Sequence, residues 1–467
     1  MTRPAPAVAR ARLLLVGLFA LAGVAFASWL ARIPTVRDLL DLSTADLGLL
    51  LLVGSVGSLL TVTASGVVLQ RLGSRRVLLL STGVLATALV LLGVGPTVGS
   101  RGLLATGIFL NGVAVALGNV AINVESARVE RALGRTVIPQ FHAAFSIGAV
   151  LGSATGALAS ATGVPVAVQL PLTAVVVVVW RLASLPGVVL PVSAVESDER
   201  AAVAPAAVAP VGAAAGVARR RAGRLGSALD AWRERRTLLV GVVVLSAAFS
   251  EGAANNWLSL AVVDGFGRSE SVGGAVLGLF VASMTAVRLL GTRLIDRCGR
   301  VAVLRASGVA SVVGLLTFGF APTFGLASAG VVLWGAGAAL AVPIGIAAAS
   351  DDPVRAAGRV AVVSAFAAMA SLVAPPVLGL AAQSVGARHA LVLIVAAMVA
   401  SVVVAPTVAR EQIADAPAAP GAADAGADPE PGLDRLERAR RHVRPGPSGR
   451  ARPRRRAPRP ATRGGAR

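Results

Sequence analysis

Residues 66–76 read GVVLQRLGSRR, and residues 291–300 read GTRLIDRCGR. Each stretch starts at a glycine, contains an Arg-x-Gly element, and lies between long apolar runs such as VLLLSTGVLATALVLLGVG at 77–95. Short arginine-rich gaps between apolar runs are typical of the cytoplasmic loops of membrane proteins. Gly73 and Gly299 are 226 residues apart, so the same Gly- and Arg-x-Gly-containing pattern occurs twice in the chain.

Composition places the chain in a membrane. Of its 467 residues, 55% are hydrophobic and 14% are charged, whereas soluble domains carry about 25% charged residues. The apolar residues form continuous runs and not one helical stripe, which is typical of helices surrounded by lipid. A single cysteine, Cys298, excludes an internal disulfide.

About 20 apolar residues cross the hydrocarbon core as a helix, and twelve stretches reach that length. We therefore predict an all-α membrane protein. The predicted spans are 13–31, 45–69, 77–95, 103–124, 140–161, 164–183, 237–262, 271–292, 301–321, 324–348, 360–382 and 387–408. Arginines are concentrated in the gaps on the side of the N-terminus, which predicts a multi-pass membrane protein with both termini in the cytoplasm.

A second pair of stretches supports an internal repeat. FHAAFSIGAVLG at 141–152 aligns with FAAMASLVAPPVLG at 366–379 when two extra residues are allowed. Six spans per copy give two parallel six-helix bundles, 13–185 and 237–408, as in transporters whose halves are related by an axis along the membrane normal.

The remaining segments are polar and rich in arginine. Residues 1–12 are predicted to be a cytoplasmic tail, and 186–236 a cytoplasmic linker in which 217–236 forms either an amphipathic helix on anionic lipid or a flexible connection. Residues 409–467 are rich in Arg and Pro and are expected to be disordered, with loose attraction to anionic lipid and no specific nucleic-acid partner.

The paired loops resemble the loop between the second and third helices of the major facilitator superfamily, whose pattern is Gly-x-x-x-Asp-Arg-x-Gly-x-Arg-Arg. The resemblance implies a 6+6 fold of twelve transmembrane helices. Stretches 32–48 and 119–153 resemble a bacterial inner-membrane branch that is loosely similar to fucose-type sugar permeases. In the family this loop is a latch between helices, which implies gating roles for Gly66, Arg71, Gly73, Arg75, Arg76, Asp296, Arg297, Gly299 and Arg300. Gln70 stands at the acidic position of the first copy, so the resemblance implies that Asp296 matters more.

Ionisable and amide groups inside membrane spans are costly and usually functional. The candidates for a solute or proton pathway are Asn119, Asn123, Glu125, His142, Glu251, Asn255, Asn256 and Arg288. Alternatively, Asn119 and Asn123 form hydrogen bonds to neighbouring helices, and His142 is a hydrated surface residue at the level of the lipid headgroups. The side chain of Arg288 alternatively extends to the cytoplasmic membrane interface. Helical rise places Glu251 in the outer half of its span and Arg288 in the inner third of the next, so no direct ion pair between them is expected. Arg32 and Arg37 fall outside the membrane and are weak candidates.

The leading functional hypothesis is a secondary transporter that moves a small organic solute by alternating access. Protons are the expected coupling ion because Glu251, Glu125 and His142 can titrate. A chain without lysine cannot form a P-loop, so ATP hydrolysis by this chain is not expected. We also expect no cofactor, no metal and no enzymatic activity. We expect the protein to be a monomer. The alternatives are a proton-coupled efflux antiporter and a membrane scaffold or sensor that transports nothing.

Overall fold

The computed structural model describes residues 6–135, 137–189, 230–352 and 355–411. Within these ranges the secondary structure is helical, without strands. We refer to residues 6–189 as the N-terminal half and to residues 230–411 as the C-terminal half. Most of the linker, including the greater part of 217–236, and nearly all of the C-terminal tail lie outside the described residues.

The N-terminal half contains helices α1 to α6. Their bounds are α1 Pro6–Leu30, α2 Ile33–Leu39, α3 Thr44–Thr97, α4 Arg101–Leu133, α5 Ile138–Ala161 and α6 Val166–Val188. In the C-terminal half the bounds are α7 Arg235–Phe266, α8 Glu270–Cys298, α9 Arg300–Phe320, α10 Phe324–Ala338, α11 Ala341–Ala349, α12 Ala356–Ala390 and α13 Ile394–Val404, with 3₁₀ turns at Leu391–Leu393 and Ala405–Val408.

Ten helical segments among the described residues are long and apolar enough to cross a membrane. Two of them, Thr44–Thr97 and Gly358–Val408, have 54 and 51 residues, far more than the roughly 20 that one crossing needs. Each contains one residue with non-helical dihedral angles, Gly73 at φ 74° and ψ 159° and Gly386 at φ 80° and ψ 153°. These glycines are where the two long segments turn.

The backbone supports the internal repeat inferred from the sequence. Gly299, which follows α8, has φ 77° and ψ 157°, close to the angles of Gly73. Both angles lie in a region that glycine reaches at no steric cost and other residues avoid. The helix in front of Gly73 continues through Leu72, so the expected loop at 70–76 is reduced to one non-helical glycine.

Several boundaries differ from the sequence expectation. Helix α1 starts at Pro6, seven residues before the predicted span, so part of the expected N-terminal tail is helical. The predicted span 324–348 is broken at Ala339 and Leu340 into α10 and α11. Proline at position 343 explains the break, because it has no N–H to donate to the carbonyl of Ala339 four residues earlier.

The two halves meet along α5 with α8 and along α3 with α12. The halves are in close contact near α2: a Cβ on Gly48 would lie 2.5 Å from the carbonyl oxygen of Pro375, and one on Gly274 would lie 3.3 Å from the Cβ of Ala157. We call this end of the molecule the closed end. At the opposite end, which carries Gly73 and Gly299, side chains 71–73 and 296–299 are exposed; we call it the open end.

Candidate functional site

A cavity of about 520 Å³ lies between the two halves. Helices α1, α3 and α4 line one side, and α7, α11 and α12 line the other. Most of the wall is apolar and includes Phe26 and Trp29. The polar side chains on the wall are Ser55, Ser58, Asn111, Glu251, Asn255, Asn256 and Ser371. The cavity therefore combines an apolar wall with a few convergent polar groups, the usual character of a small-molecule site.

Three of the predicted pathway residues, Glu251, Asn255 and Asn256, meet in this cavity on α7. Glu251 and Asn255 share one face because residues four apart in a helix are neighbours, and Asn256 follows Asn255 directly. Asn111 approaches from α4, so amide groups from both halves face the same space. Because each amide both donates and accepts hydrogen bonds, the cavity can bind a neutral polar solute from two sides.

The expectation that Glu251 and Arg288 do not pair is wrong. Nη2 of Arg288 donates to Oε2 of Glu251 at 2.9 Å, and both side chains are partly exposed. The expectation compared Cα depths alone, whereas side chains on a helix lean towards its N-terminus. Helices α7 and α8 are antiparallel, so Glu251 leans towards the open end and Arg288 towards the closed end, and the two long side chains meet.

Asn119 and Asn123 line a second cavity, of about 460 Å³, between α3 and α4. It shares Ser58, Val62 and Val115 with the central cavity, so the two are adjacent. The side-chain amide of Asn123 donates to the backbone oxygen of Asn119 at 2.8 Å. These two residues thus lie beside the central cavity and not in it.

Glu125 and His142 are not among the residues that line either cavity. Glu125 is fully buried and forms an ion pair with Arg128 at 2.6 Å. His142 is exposed at the start of α5, where its ring lies edge-on to Phe19, and it is within electrostatic range of Arg288. Of the three titratable groups proposed from the sequence, only Glu251 lines the central cavity.

The predicted latch residues differ between the two copies. Arg71, Arg75 and Arg76 are exposed, and no hydrogen bond or ion pair joins them to another residue in the described part of the chain. Asp296 is also exposed and borders a surface cavity of about 590 Å³ together with Arg300 and Arg305. Arg300 is the latch residue with a clear partner, because its Nη1 donates to Asp351 at 2.7 Å.

Asp351 belongs to an ion-pair network at the open end of the C-terminal half. It also accepts from Arg236 at 2.9 Å. Burial raises the pKa of Asp351, but the hydrogen bonds from Arg300 and Arg236 outweigh it and hold the pKa below its ordinary value. Arg359, almost fully buried, joins Glu234 at 2.5 Å and Glu411 at 2.6 Å. The network ties α7, α9 and α12 together with the chain just after the last 3₁₀ turn.

Sequence reasoning missed two charged features. At the closed end, Arg32 and Arg37 of the N-terminal half pair with Glu270 and Asp264 of the C-terminal half. The signal was present, because RIPTVRD at 32–38 and DGFGRSE at 264–270 both follow spans on the same predicted side with opposite charges available. Arg181 was also missed: it is buried in α6, and its Nη1 donates to Ser81 Oγ at 3.2 Å.

A relative from Sinorhizobium fredii, the uncharacterized transporter y4wD, is 32% identical over 373 residues, which cover 79% of this chain and 90% of the relative. The family model of the Major Facilitator Superfamily matches residues 240–447. The chain belongs to the major facilitator superfamily. Membrane transport is the function that this membership supports, and the members are transporters and not enzymes.

Solved structures of the same superfamily show the same fold. The nucleoside transporter NupG is 16% identical and superimposes with a TM-score of 0.63, covering 85% of this chain and 98% of NupG. FucP, a superfamily transporter in the outward conformation, is 15% identical with a TM-score of 0.56, covering 86% of this chain and 99% of FucP. The resemblance drawn from the paired loops is confirmed at the level of the superfamily.

Proposed function

We propose that this superfamily member is a secondary active transporter that carries a small polar solute by alternating access, with protons as the coupling ion. Division of the two long helical segments at Gly73 and Gly386 would give the twelve spans in two bundles of six that this proposal requires. The two bundles would rock about the central cavity and expose it first at one membrane face and then at the other.

The central cavity is the observation that carries this proposal. It lies between the halves, and both halves contribute polar side chains, Asn111 and Ser55 from one and Glu251 and Asn255 from the other. A solute bound there would contact both halves at once. Rocking of the halves would then change its access without moving it far from the membrane midplane.

The cavity favours a neutral solute with several hydroxyl or amide groups. The residues that line the described cavity wall include no cation, and Arg288, which is outside that set, is paired with Glu251, so the cavity offers no site for a polyanion. NupG carries nucleosides by name, and FucP is named a fucose:proton symporter. Both names fit the same class of polar, hydroxylated solute.

Glu251 is the proposed proton carrier. It is the one ionisable side chain among the residues that line the central cavity in the described part of the chain. A proton on Glu251 would neutralise the partner of Arg288, so proton and solute binding would act on the same wall. Import and export are both compatible with this arrangement.

The proposal places the protein in a bacterial inner membrane with both termini in the cytoplasm, working as a monomer. The open end would then face the cytoplasm. Anionic lipid headgroups would attract the arginines of 217–236 and of the C-terminal tail, which we assign no transport role.

A two-stage experiment tests the function. A thermal-shift screen of the purified protein against sugars, nucleosides, amino acids and cationic drugs identifies a ligand, and uptake of that ligand into proteoliposomes is measured with and without a pH gradient. We expect accumulation only with the gradient. Absence of any ligand-dependent flux would leave a scaffold or sensor as the better description.

The variant Glu251→Gln separates exchange from coupling. It should keep solute exchange but lose accumulation driven by the proton gradient, because the amide cannot take up a proton. Glu251→Asp is the matched control and should retain coupling. If Glu251→Gln accumulates solute with unchanged pH dependence, then Glu251 is not the coupling group, and Glu125 or His142 becomes the candidate.

A further inference from the structure

Arg288 makes two hydrogen bonds at the same time. Its Nη2 donates to Oε2 of Glu251 at 2.9 Å, and its Nε donates to the backbone oxygen of Ala339 at 3.1 Å. The first bond reaches α7 and the second reaches the break between α10 and α11. One guanidinium therefore joins a charged group of the cavity wall to a point where a membrane helix is interrupted.

The sequence explains why the carbonyl of Ala339 is free to accept from Arg288. In a continuous helix the N–H of residue 343 would donate to it, but residue 343 is proline. The next carbonyl, of Leu340, accepts from the amide of Ile344 at 3.0 Å, so the helix resumes immediately. The Nε of Arg288 replaces the one donor that Pro343 lacks.

The break is close to the cavity on both of its sides. Val342, in the first turn of α11, lines the cavity together with Glu251. On α10, the indole Nε1 of Trp334 donates to Oγ of Ser250, the residue before Glu251, at 2.8 Å. The break is therefore adjacent to Glu251, through the shared cavity wall on the α11 side and through the Trp334–Ser250 hydrogen bond on the α10 side.

We propose that Arg288 is a positioning residue that transmits the charge state of Glu251 to the break between α10 and α11. While Glu251 is ionised, it fixes the guanidinium so that Nε caps the Ala339 carbonyl. A proton on Glu251 replaces the charged hydrogen bond by a weaker one. The guanidinium is then less restrained, the Ala339 carbonyl loses its donor for part of the time, and the break loosens.

Few charged groups surround Glu251 in the described part of the chain. Arg288 approaches from α8, while α1, α3, α4, α11 and α12 contribute neutral side chains to the described cavity wall. From α5, His142 lies within electrostatic range of Arg288 but does not line the cavity. His142→Gln is therefore included, and it should leave the response of the break to Glu251 in place.

Hydrogen exchange of the backbone amides around the break tests this inference without any solute. The full-length protein in detergent is exchanged at pH values from about 5 to 8, with rates corrected for intrinsic chemistry, and the peptide covering 340–346 is compared with one from α9. We expect exchange at 340–346 to rise by about tenfold in Glu251→Gln, the scale of one hydrogen bond to a charged group. The same peptide in the unmodified protein should approach that rate only as the pH falls.

Two further variants keep the test decisive. Arg288→Lys keeps the positive charge, but a single ammonium group cannot reproduce the guanidinium geometry that reaches both Glu251 and the Ala339 carbonyl. The variant should therefore raise exchange as Glu251→Gln does. Pro343→Ala restores the missing N–H and should lower exchange at 340–346 in either background. If exchange at 340–346 does not differ between the unmodified protein, Glu251→Gln and Arg288→Lys, the inference is wrong.

The inference rests on the proposed function only for its trigger, a proton arriving at Glu251. The two can fail separately, because exchange is measured without transport. Normal proton-driven uptake together with an unresponsive break would overturn the role of Arg288 alone. A responsive break in a protein that carries no solute would overturn the proposed function alone.

Discussion

Arg32 of the N-terminal half lies with its Nε 3.2 Å from Oε2 of Glu270 in the C-terminal half. The other carboxylate oxygen of Glu270 accepts from the backbone N–H of Thr35 at 2.9 Å. Five residues after Arg32, Arg37 pairs with Asp264 of the C-terminal half. The short helix α2 is thus held to the turn between α7 and α8 by two ion pairs, and we call this set of contacts the closed-end clamp.

The clamp joins the halves in one state of the molecule. Arg32 and Glu270 are only 4% and 11% exposed, so removal of one partner leaves a poorly solvated charge. In the proposed alternating-access cycle the closed end would separate and both charges would reach water. The clamp would then set the balance between conformations more than the stability of either half.

Glu270→Gln should weaken the closed end. Loss of one partner of a buried pair costs about 3–5 kcal/mol, of which hydration in the opened state recovers a part, so the separated population should rise at least tenfold. Spin labels at Thr162 and Ser269, in a Cys298→Ser background, report the distance between the halves. Arg101→Gln is the control, because Arg101 pairs with Asp46 inside one half. Equal distance distributions for Glu270→Gln and the control would refute the clamp.

Gly73→Ala and Gly299→Ala should each destabilise the protein by about 1–3 kcal/mol, the cost of a non-glycine residue in this backbone region. A Cβ at either position would meet nothing within 4 Å, so the cost comes from the backbone and not from crowding. Gly66→Ala is the matched control, since it has open space and helical angles. The apparent melting temperature in detergent measures the effect. A control that melts as low as the two variants would show that the backbone angles are not the cause.

Asp351 should make the open end of the C-terminal half sensitive to acid. Its folded pKa lies below the ordinary value of 3.8, so its contribution to stability is complete above that value and is lost as the pH falls through the folded pKa. The melting temperature of the unmodified protein should therefore fall more steeply below about pH 4 than that of Asp351→Asn. At pH 7 the variant should already melt lower. Parallel curves for the two proteins would contradict the assignment.

The proposed orientation predicts the behaviour of reporter fusions. Fusions after residues 98 and 265 should report the periplasm, and one after residue 215 should report the cytoplasm, because arginines are concentrated in the gaps on the side of the N-terminus. A periplasmic signal at 215 would reverse the orientation. The closed end would then face the cytoplasm.

The latch interpretation also changes in the light of the structure. The sequence favoured Asp296→Asn as the more damaging variant, but Asp296 is exposed while Arg300 pairs with Asp351. We now expect Asp351→Asn to reduce the transport rate more than Asp296→Asn or Arg71→Lys. Rates of uptake by the three variants in proteoliposomes decide the order.

The all-helical membrane fold was predictable because bilayer thickness and hydropathy determine which segments are membrane helices. The spacing of Gly73 and Gly299 alone located two turns with nearly the same dihedral angles. The helix break at Ala339 was predictable from Pro343 but was overlooked, since apolar length dominated the assignment.

The candidate site was less predictable, because it depends on which faces of different helices meet. Glu251 and Asn255 were found since ionisable and amide groups stand out in apolar spans. The position of Glu125 away from the cavity was not predictable, because helix rotation about its axis depends on packing. The prediction that Glu251 and Arg288 do not pair failed for a specific reason, the neglect of side-chain direction in antiparallel helices.

Access to the cavity from both membrane faces is the central claim, and one cysteine measurement tests it most directly. Ala157→Cys and Gly274→Cys place two thiols at the closed end, where the Cβ positions lie 3.3 Å apart, within disulfide reach. Asn255→Cys in the same Cys298→Ser protein places the reporter thiol in the cavity. The accessibility of that reporter to an impermeant maleimide is then measured from each face of oriented membrane vesicles.

With the pair reduced, we predict labelling from both faces; with the pair oxidised, we predict labelling only from the face of the open end. Labelling of the oxidised protein from the opposite face, or labelling of the reduced protein from one face alone, would contradict alternating access.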